Sequence, residues 1–361
     1  MAKVAIIGAG IAGLSSAWAL TKDGHQVTLY EQGPIPNPLS ASGDEHRIIR
    51  RAYGKQSGYQ KRIDDAYAAW EELFADLGER HLKETGFLLI SQCEGDEADE
   101  YYQGLVEGGY PNHKMTPKEA AEKYPFLDAS TFMYAAESPE GGALLCQNIA
   151  ADLKQWLLRN GAELRENHKV KSVAPKFGIV DGDHYDQIII TAGAWVLELM
   201  PSLAEHLTTY RTAVGYYTPP QDLAEAWAKA PVILDVGADT DGYVIPPIAG
   251  SGVKLGTGLH KYASLPDHNR VAQAQEAEEI KNHFSPPFNR LNEYIHEKTV
   301  TCAYTFTKDS HFFVHQVKRV TVVSACSGHG YKFGAAIGKQ IAKSVTNKDY
   351  ESLKLWLEAR D

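Results

Sequence analysis

Short apolar runs punctuate this chain at wide intervals, and glycine-rich turns follow two of them. Lys3 to Ile7 (KVAII) is a β-branched run of the kind that suits a strand buried on both faces. GAGIAG follows at once, and LSSAWALTKDG then predicts a helix ending at Gly24. Gln26 to Tyr30 (QVTLY) predicts a second strand, with Glu31 at its C-terminal end. A Pro-, Ser- and Gly-rich loop comes next, GPIPNPLSASGDEHRIIRRAYG, leading into a predicted basic helix. Asp186 to Ala194 (DQIIITAGA) predicts another buried strand ending in small residues. Val320 to Ala325 (VTVVSA) predicts one more, opening into CSGHGYKFGAAIGKQIA, a second Gly-rich turn before a helix.

The first of these units has a chemical meaning. Gly8 makes the tight turn from strand to helix, and Gly10 has no Cβ to keep a pyrophosphate away. Gly13 lets the helix pack closely on the strand. Phosphates then meet free N–H groups at a helix N-terminus, near Ile11 and Ala12. Glu31 stands 18 residues after Gly13, placed to accept hydrogen bonds from an adenosine ribose. A strand, a turn, a helix, a second strand and a terminal acid together predict a dinucleotide site. In a simple nicotinamide domain the alternation of strands and helices would continue after Glu31. Here three separated stretches build the cofactor domain instead, which is the layout of a discontinuous flavin-binding fold. The TAGAW tail at 191–195 is read as passing beneath the cofactor.

Composition narrows the partners. The chain has 361 residues, 43 % hydrophobic and 23 % charged, enough for two domains without disulfide or metal staples. A net charge of −10 with no long basic run argues against nucleic acid. Cys93, Cys146, Cys302 and Cys326 lie far apart, with no zinc spacing, which fits a reduced, cytoplasmic setting. No apolar stretch is long enough for a membrane span.

At this point the chain resembles the D-amino-acid oxidase superfamily of flavoenzymes, and within it the monomeric sarcosine oxidase and N-methyltryptophan oxidase branch. The resemblance rests on GAGIAG, GDEHRIIRRAYG (43–54), TAGAW, YRTAVGYY (210–217) and VKLG (253–256), completed by TCAYTFTKDSHFFV (301–314) and CSGHGYKF (326–333). It implies an α/β fold, α+β overall. A discontinuous Rossmann-like FAD-binding domain spans 1–80, 141–209 and 301–361. A substrate domain on a mixed or antiparallel sheet spans 81–140 and 210–300.

The implied activity is oxidation of a secondary or primary amine or amino acid by a monomer. A hydride passes to flavin N5, the imine hydrolyses, and O₂ reoxidises the flavin to give H₂O₂. Cys302 matches the position of a covalent thioether to FAD, with Cys326 the rival thiol. Arg50 and Lys332 match the binders of a substrate carboxylate. Arg47, at i, i+3 from Arg50 on the predicted helix, lies near the flavin. Lys254 matches the lysine that promotes reaction with O₂. Tyr304 matches an aromatic beside the substrate, and His329 a residue of the flavin turn. Gln32, Ser42, Gly43, Val170, Gly193, Trp195, Gly328 and Gly330 complete the expected cofactor contacts. The branch commonly has a His before the first Arg of its RIIR block, and Glu45 or His46 is open to take that place. Three other readings stay open: a dehydrogenase with another acceptor, a flavin-binding subunit of a hetero-complex, and a nicotinamide dehydrogenase.

Overall fold

The computed structural model describes residues 1–54, 57–236, 241–324 and 326–360. Its first sheet has six strands. In order they are Phe313–Val317, Val320–Ser324, Gln187–Ile190, β1 (Lys3–Ile7), β2 (Gln26–Tyr30) and Glu163–Arg165. All pair in parallel except the Phe313–Val317 edge. Both faces are covered, as continuous apolar runs require. Val4, Ile6, Leu29 and Ile189 face one core with Leu14 and Trp18 of α1 (Ile11–Lys22), while Ala5, Ile7, Ile188, Ile190 and Val322 face another. On the first face α1 crosses the helix Gly334–Asn347, where the Ser15 hydroxyl donates to the Gly334 carbonyl at 2.7 Å. Segments more than 300 residues apart in sequence thus form one cofactor layer.

The second sheet has eight strands, in the order Ile295–Phe306, Thr208–Thr218, Val253–Ala263, Gly242–Ile245, Val232–Val236, Phe87–Ser91, Tyr134–Ser138 and His113–Met115. It is antiparallel except where Val232–Val236 meets Phe87–Ser91. Its own core includes Phe126 stacked on Trp227, ring centroids 3.8 Å apart. The expected divisions at 209/210 and 300/301 fall inside strands of this sheet.

Two local expectations change. The RIIR block is not a helix but a strand, β3 (His46–Arg50), paired antiparallel with Gly141–Leu145. Two adjacent β-branched isoleucines with a partner strand outweigh the helical spacing of the arginines. The run Asp186 to Ala194 is a strand only over Gln187–Ile190; Gly193–Trp195 is a single 3₁₀ turn. Gly193 takes a positive φ of 53°, which no strand accommodates. Ala325, the last residue of the VTVVSA run, lies outside the described residues. Among the described residues no helix is long and apolar enough to cross a membrane.

Candidate active site

The β1–α1 turn opens one long cleft. Gly8 sits at φ +103°, and a Cβ on Gly13 would stand 1.8 Å from the Gly8 carbonyl oxygen. The turn therefore admits only glycine at both places. Gly10, the N-cap of α1, has no side chain to cap the helix's first N–H groups, and the turn lines the cleft. Glu31 does two things. Its carboxylate accepts from Ala9 N (2.8 Å), Gly33 N (3.0 Å) and Asn37 Nδ2 (2.8 Å), fastening the turn to the loop, and it also lines the cleft. Ser42 Oγ accepts from Ile11 N at 3.0 Å. The cleft is about 470 Å³ and is lined by Gly8, Gly10, Ile11, Ala12, Glu31, Gln32, Ser42, Val170, Gly193 and Trp195. Gly13 lies beneath the turn and Gly43 packs on Asn37, so neither reaches the opening.

A second cavity, about 570 Å³, abuts the first. Arg47, Tyr304, Ser327, Gly328 and Tyr331 line both. Arg50 and Lys332 stand on its inner wall, 4 % and 6 % exposed. The Arg50 guanidinium lies between the rings of Tyr53 (4.4 Å) and Tyr101 (4.6 Å), and Nη1 donates to the Ala52 carbonyl. Its buried Nε has no hydrogen-bond partner among the described residues. Burial and the neighbouring Arg50 push the Lys332 ammonium well below the usual lysine range.

Lys332 Nζ donates to the Tyr53 hydroxyl (3.3 Å) and to the His329 carbonyl (3.1 Å). His329 Nε2 lies 2.9 Å from the Ser310 carbonyl, so that nitrogen carries the proton, and Nδ1 accepts from the Tyr53 hydroxyl at 3.2 Å. Burial holds this ring neutral, its pKa pushed down to about 3. Arg51 turns away to Asp64 and to Glu140, the latter at 2.8 Å.

Behind the shared wall lies a buried charge cluster around Asp44. Its carboxylate accepts from Lys254 Nζ (2.5 Å), Arg47 Nη1 (2.8 Å) and the Tyr216 hydroxyl (2.7 Å). Lys254 is fully buried, also donates to the His46 carbonyl (3.1 Å), and lines neither cavity. The two cations hold the Asp44 carboxyl well below the usual carboxylate range, against the effect of burial. Arg47 extends from the cluster to the wall, its Nη2 3.3 Å from the Tyr304 hydroxyl and 3.7 Å from Cys302 Sγ.

Residues 3–344 match the DAO family, described as FAD dependent oxidoreductase. The chain belongs to this family of FAD-dependent oxidoreductases. Two relatives align over nearly their whole length. Monomeric sarcosine oxidase of Bacillus sp. (strain NS-129) is 22 % identical over 376 residues, 99 % of this chain and 96 % of the relative. N-methyl-L-tryptophan oxidase of Yersinia pestis (strain Pestoides F) is 24 % identical over 358 residues, 95 % and 94 %. Among solved structures the fold is shared with L-proline dehydrogenase from P. horikoshii, with a TM-score of 0.81, 19 % identity and coverage of 99 % and 96 %. It is shared also with Amadoriase I from Aspergillus fumigatus, with a TM-score of 0.82, 20 % identity and coverage of 99 % and 89 %.

The FAD of the DAO family fits the residues present. Gly8 and Gly13 admit no side chain, the α1 N-cap is a glycine with no side chain to block an anion, and Gly10 has nothing nearer than Ser42 Oγ at 3.5 Å from where a Cβ would lie. Of the two thiols weighed for a flavin link, Cys326 lines the cleft, and burial pushes it up to about 11, so it is a thiol at neutral pH. Cys302 is 2 % exposed, behind Tyr304 and Arg47.

The sequence reading passed over Asp44. Its signal lay in SGDEHR, where three polar candidates stand in a row and only their partners in the fold separate them. Glu45 points outward to Lys298 Nζ, 2.5 Å away. His46 Nε2 lies 3.0 Å from Ser251 Oγ, and neither residue lines a cavity. His260, in the strand after Lys254, pairs with Glu276 at 2.7 Å, away from both cavities.

Proposed function

We propose that this chain oxidises a secondary or primary amine, an amino acid of the sarcosine kind, and passes the electrons to O₂. One observation carries the reading. A buried arginine with an unpartnered Nε, beside a buried lysine, lines a cavity that shares its wall with the dinucleotide cleft. A carboxylate is the natural guest there, because Arg50 offers Nε–H and Lys332 regains its charge beside an anion. The names of the curated relatives, oxidases of sarcosine and of N-methyl-L-tryptophan, support an amine as the reacting group.

Gly8, Gly10, Ile11, Ala12 and Glu31 would hold the ADP half of FAD, and Cys302 would tether the flavin. When bound, FAD supplies the two-electron acceptor for the C–N bond. The chain's own residues do the rest. Arg50 and Lys332 fix the carboxylate and so orient the amine towards the shared wall. Tyr53 and Tyr101 hold the guanidinium flat between them and exclude water from it. Arg47 and Lys254 share the single carboxylate of Asp44, leaving one net positive charge behind the wall. Such a charge favours negative charge developing on that side of the site, including that on O₂ as it is reduced.

Mixing the purified, air-oxidised protein anaerobically with sarcosine, N-methyl amino acids and cyclic amino acids tests the reading. Bleaching of the yellow absorbance is expected, followed by one H₂O₂ per amine when air is admitted. Bleaching without peroxide would replace O₂ by another acceptor, and no bleaching by any amine would overturn the reading. The tether has its own test, since the flavin should stay with acid-precipitated protein and appear in the supernatant of Cys302→Ser.

A further inference from the structure

The substrate cavity has two electrical poles. Its inner wall carries Arg50 and Lys332; its other side carries Asp241, Glu97 and Glu100, with Lys261 as the one cation of that side among the described residues. Tyr101 joins the two poles. Its ring lies 4.6 Å from the Arg50 guanidinium, and its hydroxyl donates to Glu97 Oε1. Arg50 and Glu97 are therefore about one tyrosine apart.

Asp241 lines the cavity at its exposed side. It holds a left-handed backbone, φ +39°, and Gly258 N donates to its carbonyl at 2.8 Å. Its carboxylate occupies the space over Gly258, where a Cβ would stand 1.6 Å from Oδ2. A non-glycine residue in this region costs about 1 kcal/mol or more, and the surrounding structure must hold it there. No hydrogen-bond donor meets this carboxylate among the described residues. It is open to the cavity yet closely ringed by protein, and this partial desolvation, with Glu97 nearby and Lys261 opposing, pushes the carboxyl up to about 6.

We propose that the substrate is an amino acid with a second, positively charged group on its side chain, its carboxylate at Arg50 and Lys332 and its side-chain cation at Asp241 and Glu97. The proposal rests on the amine-oxidation reading above and adds the class of side chain. The orphaned Nε of Arg50 fixes where the carboxylate goes. The length of Tyr101 then sets the reach of the side chain, that of ornithine or lysine. A neutral side chain would forgo the ion pair and leave the Asp241 carboxylate to solvent. An acidic one would meet three carboxylates.

The test uses the flavin-loaded protein under anaerobic conditions and four probes, each with and without an N-methyl group: ornithine, lysine, norleucine and 2-aminoadipate. Dissociation constants come from the change in flavin absorbance on mixing, before or apart from bleaching. Lysine or ornithine should bind roughly tenfold or more tightly than norleucine, as one charge-assisted pair provides, with 2-aminoadipate weakest. Asp241→Asn, or Glu97→Gln if that variant does not fold, should draw the lysine-to-norleucine ratio towards one. Equal or tighter binding of norleucine or 2-aminoadipate by the unaltered protein would overturn the proposal while leaving amine oxidation standing. An undiminished ratio in the Asp241→Asn, Glu97→Gln double variant would overturn it too. If no probe perturbs or bleaches the flavin, while sarcosine and the cyclic amino acids also fail, the amine-oxidation reading itself falls.

Discussion

The two halves of the site are made of different material. The dinucleotide cleft is built largely from backbone: a turn with no room for side chains, a helix N-terminus whose N-cap is a glycine, and one acid that fastens the loop. The substrate side is built from side chains: a buried arginine and a buried lysine at the cavity wall, and behind it a carboxylate shared by Lys254 and Arg47. A backbone site tolerates no added volume. A charge site tolerates volume but not an unbalanced charge. Substitutions should separate the two.

The largest effect should come from adding volume to the backbone half. Gly13→Val places carbon against the Gly8 carbonyl and the Thr191 hydroxyl. The expected outcome is protein that purifies colourless, without FAD, which an absorbance spectrum checks. A yellow Gly13→Val protein would mean that the turn gives way and that the contrast is wrong.

Next comes removal of one charge from the other half. Asp44→Asn leaves Lys254 and Arg47 buried with no anion, which should lower stability by about 3–5 kcal/mol in denaturant unfolding. Adding Lys254→Met to Asp44→Asn should recover much of that loss, because one cation leaves with the anion. Failure of the second change to rescue the first would show that Asp44 acts through its shape rather than its charge. Lys254→Met alone should spare anaerobic reduction by amine but slow reoxidation by O₂ on the order of a hundredfold. An unchanged oxygen rate would remove Lys254 from that step.

A smaller effect follows pH. Burial, reinforced by Lys254, pushes the His46 imidazole down to about 3, and burial with Lys332 does the same for His329. Unfolded, each titrates near 6.5. Between those values the unfolded chain binds more protons than the folded one. Stability should therefore fall as pH drops through that window, by about 1.4 kcal/mol per pH unit for each histidine. His46→Asn should shallow the fall; an identical slope would show that His46 is not a source of it.

The same division explains what could be read from the sequence. Gly8, Gly10 and Gly13 state a backbone requirement within six consecutive residues, so the turn and its strands were legible. Arg50 and Lys332 were legible only through the family's motifs, since spacing alone made the RIIR block a basic helix. As a strand, β3 instead delivers Arg47 to the shared wall and Arg50 to the cavity. Asp44 was invisible because its meaning depends on Lys254, 210 residues on, and on Tyr216. That Asp241, just before the strand Gly242–Ile245, and Glu97, at the start of the helix Glu97–Glu107, line one cavity depends likewise on elements far apart in sequence, which no local pattern encodes.

The central claim is that the cationic wall binds a carboxylate and thereby presents an amine for oxidation. Rapid-mixing anaerobic reduction by sarcosine and by lysine, in the unaltered protein and in Arg50→Met, tests it most directly. The account predicts saturable flavin bleaching by at least one of these amines in the unaltered protein. In Arg50→Met the apparent dissociation constant should rise by roughly a hundredfold, with the flavin still bound. Bleaching of equal affinity in both proteins, or none in the unaltered one, would contradict it.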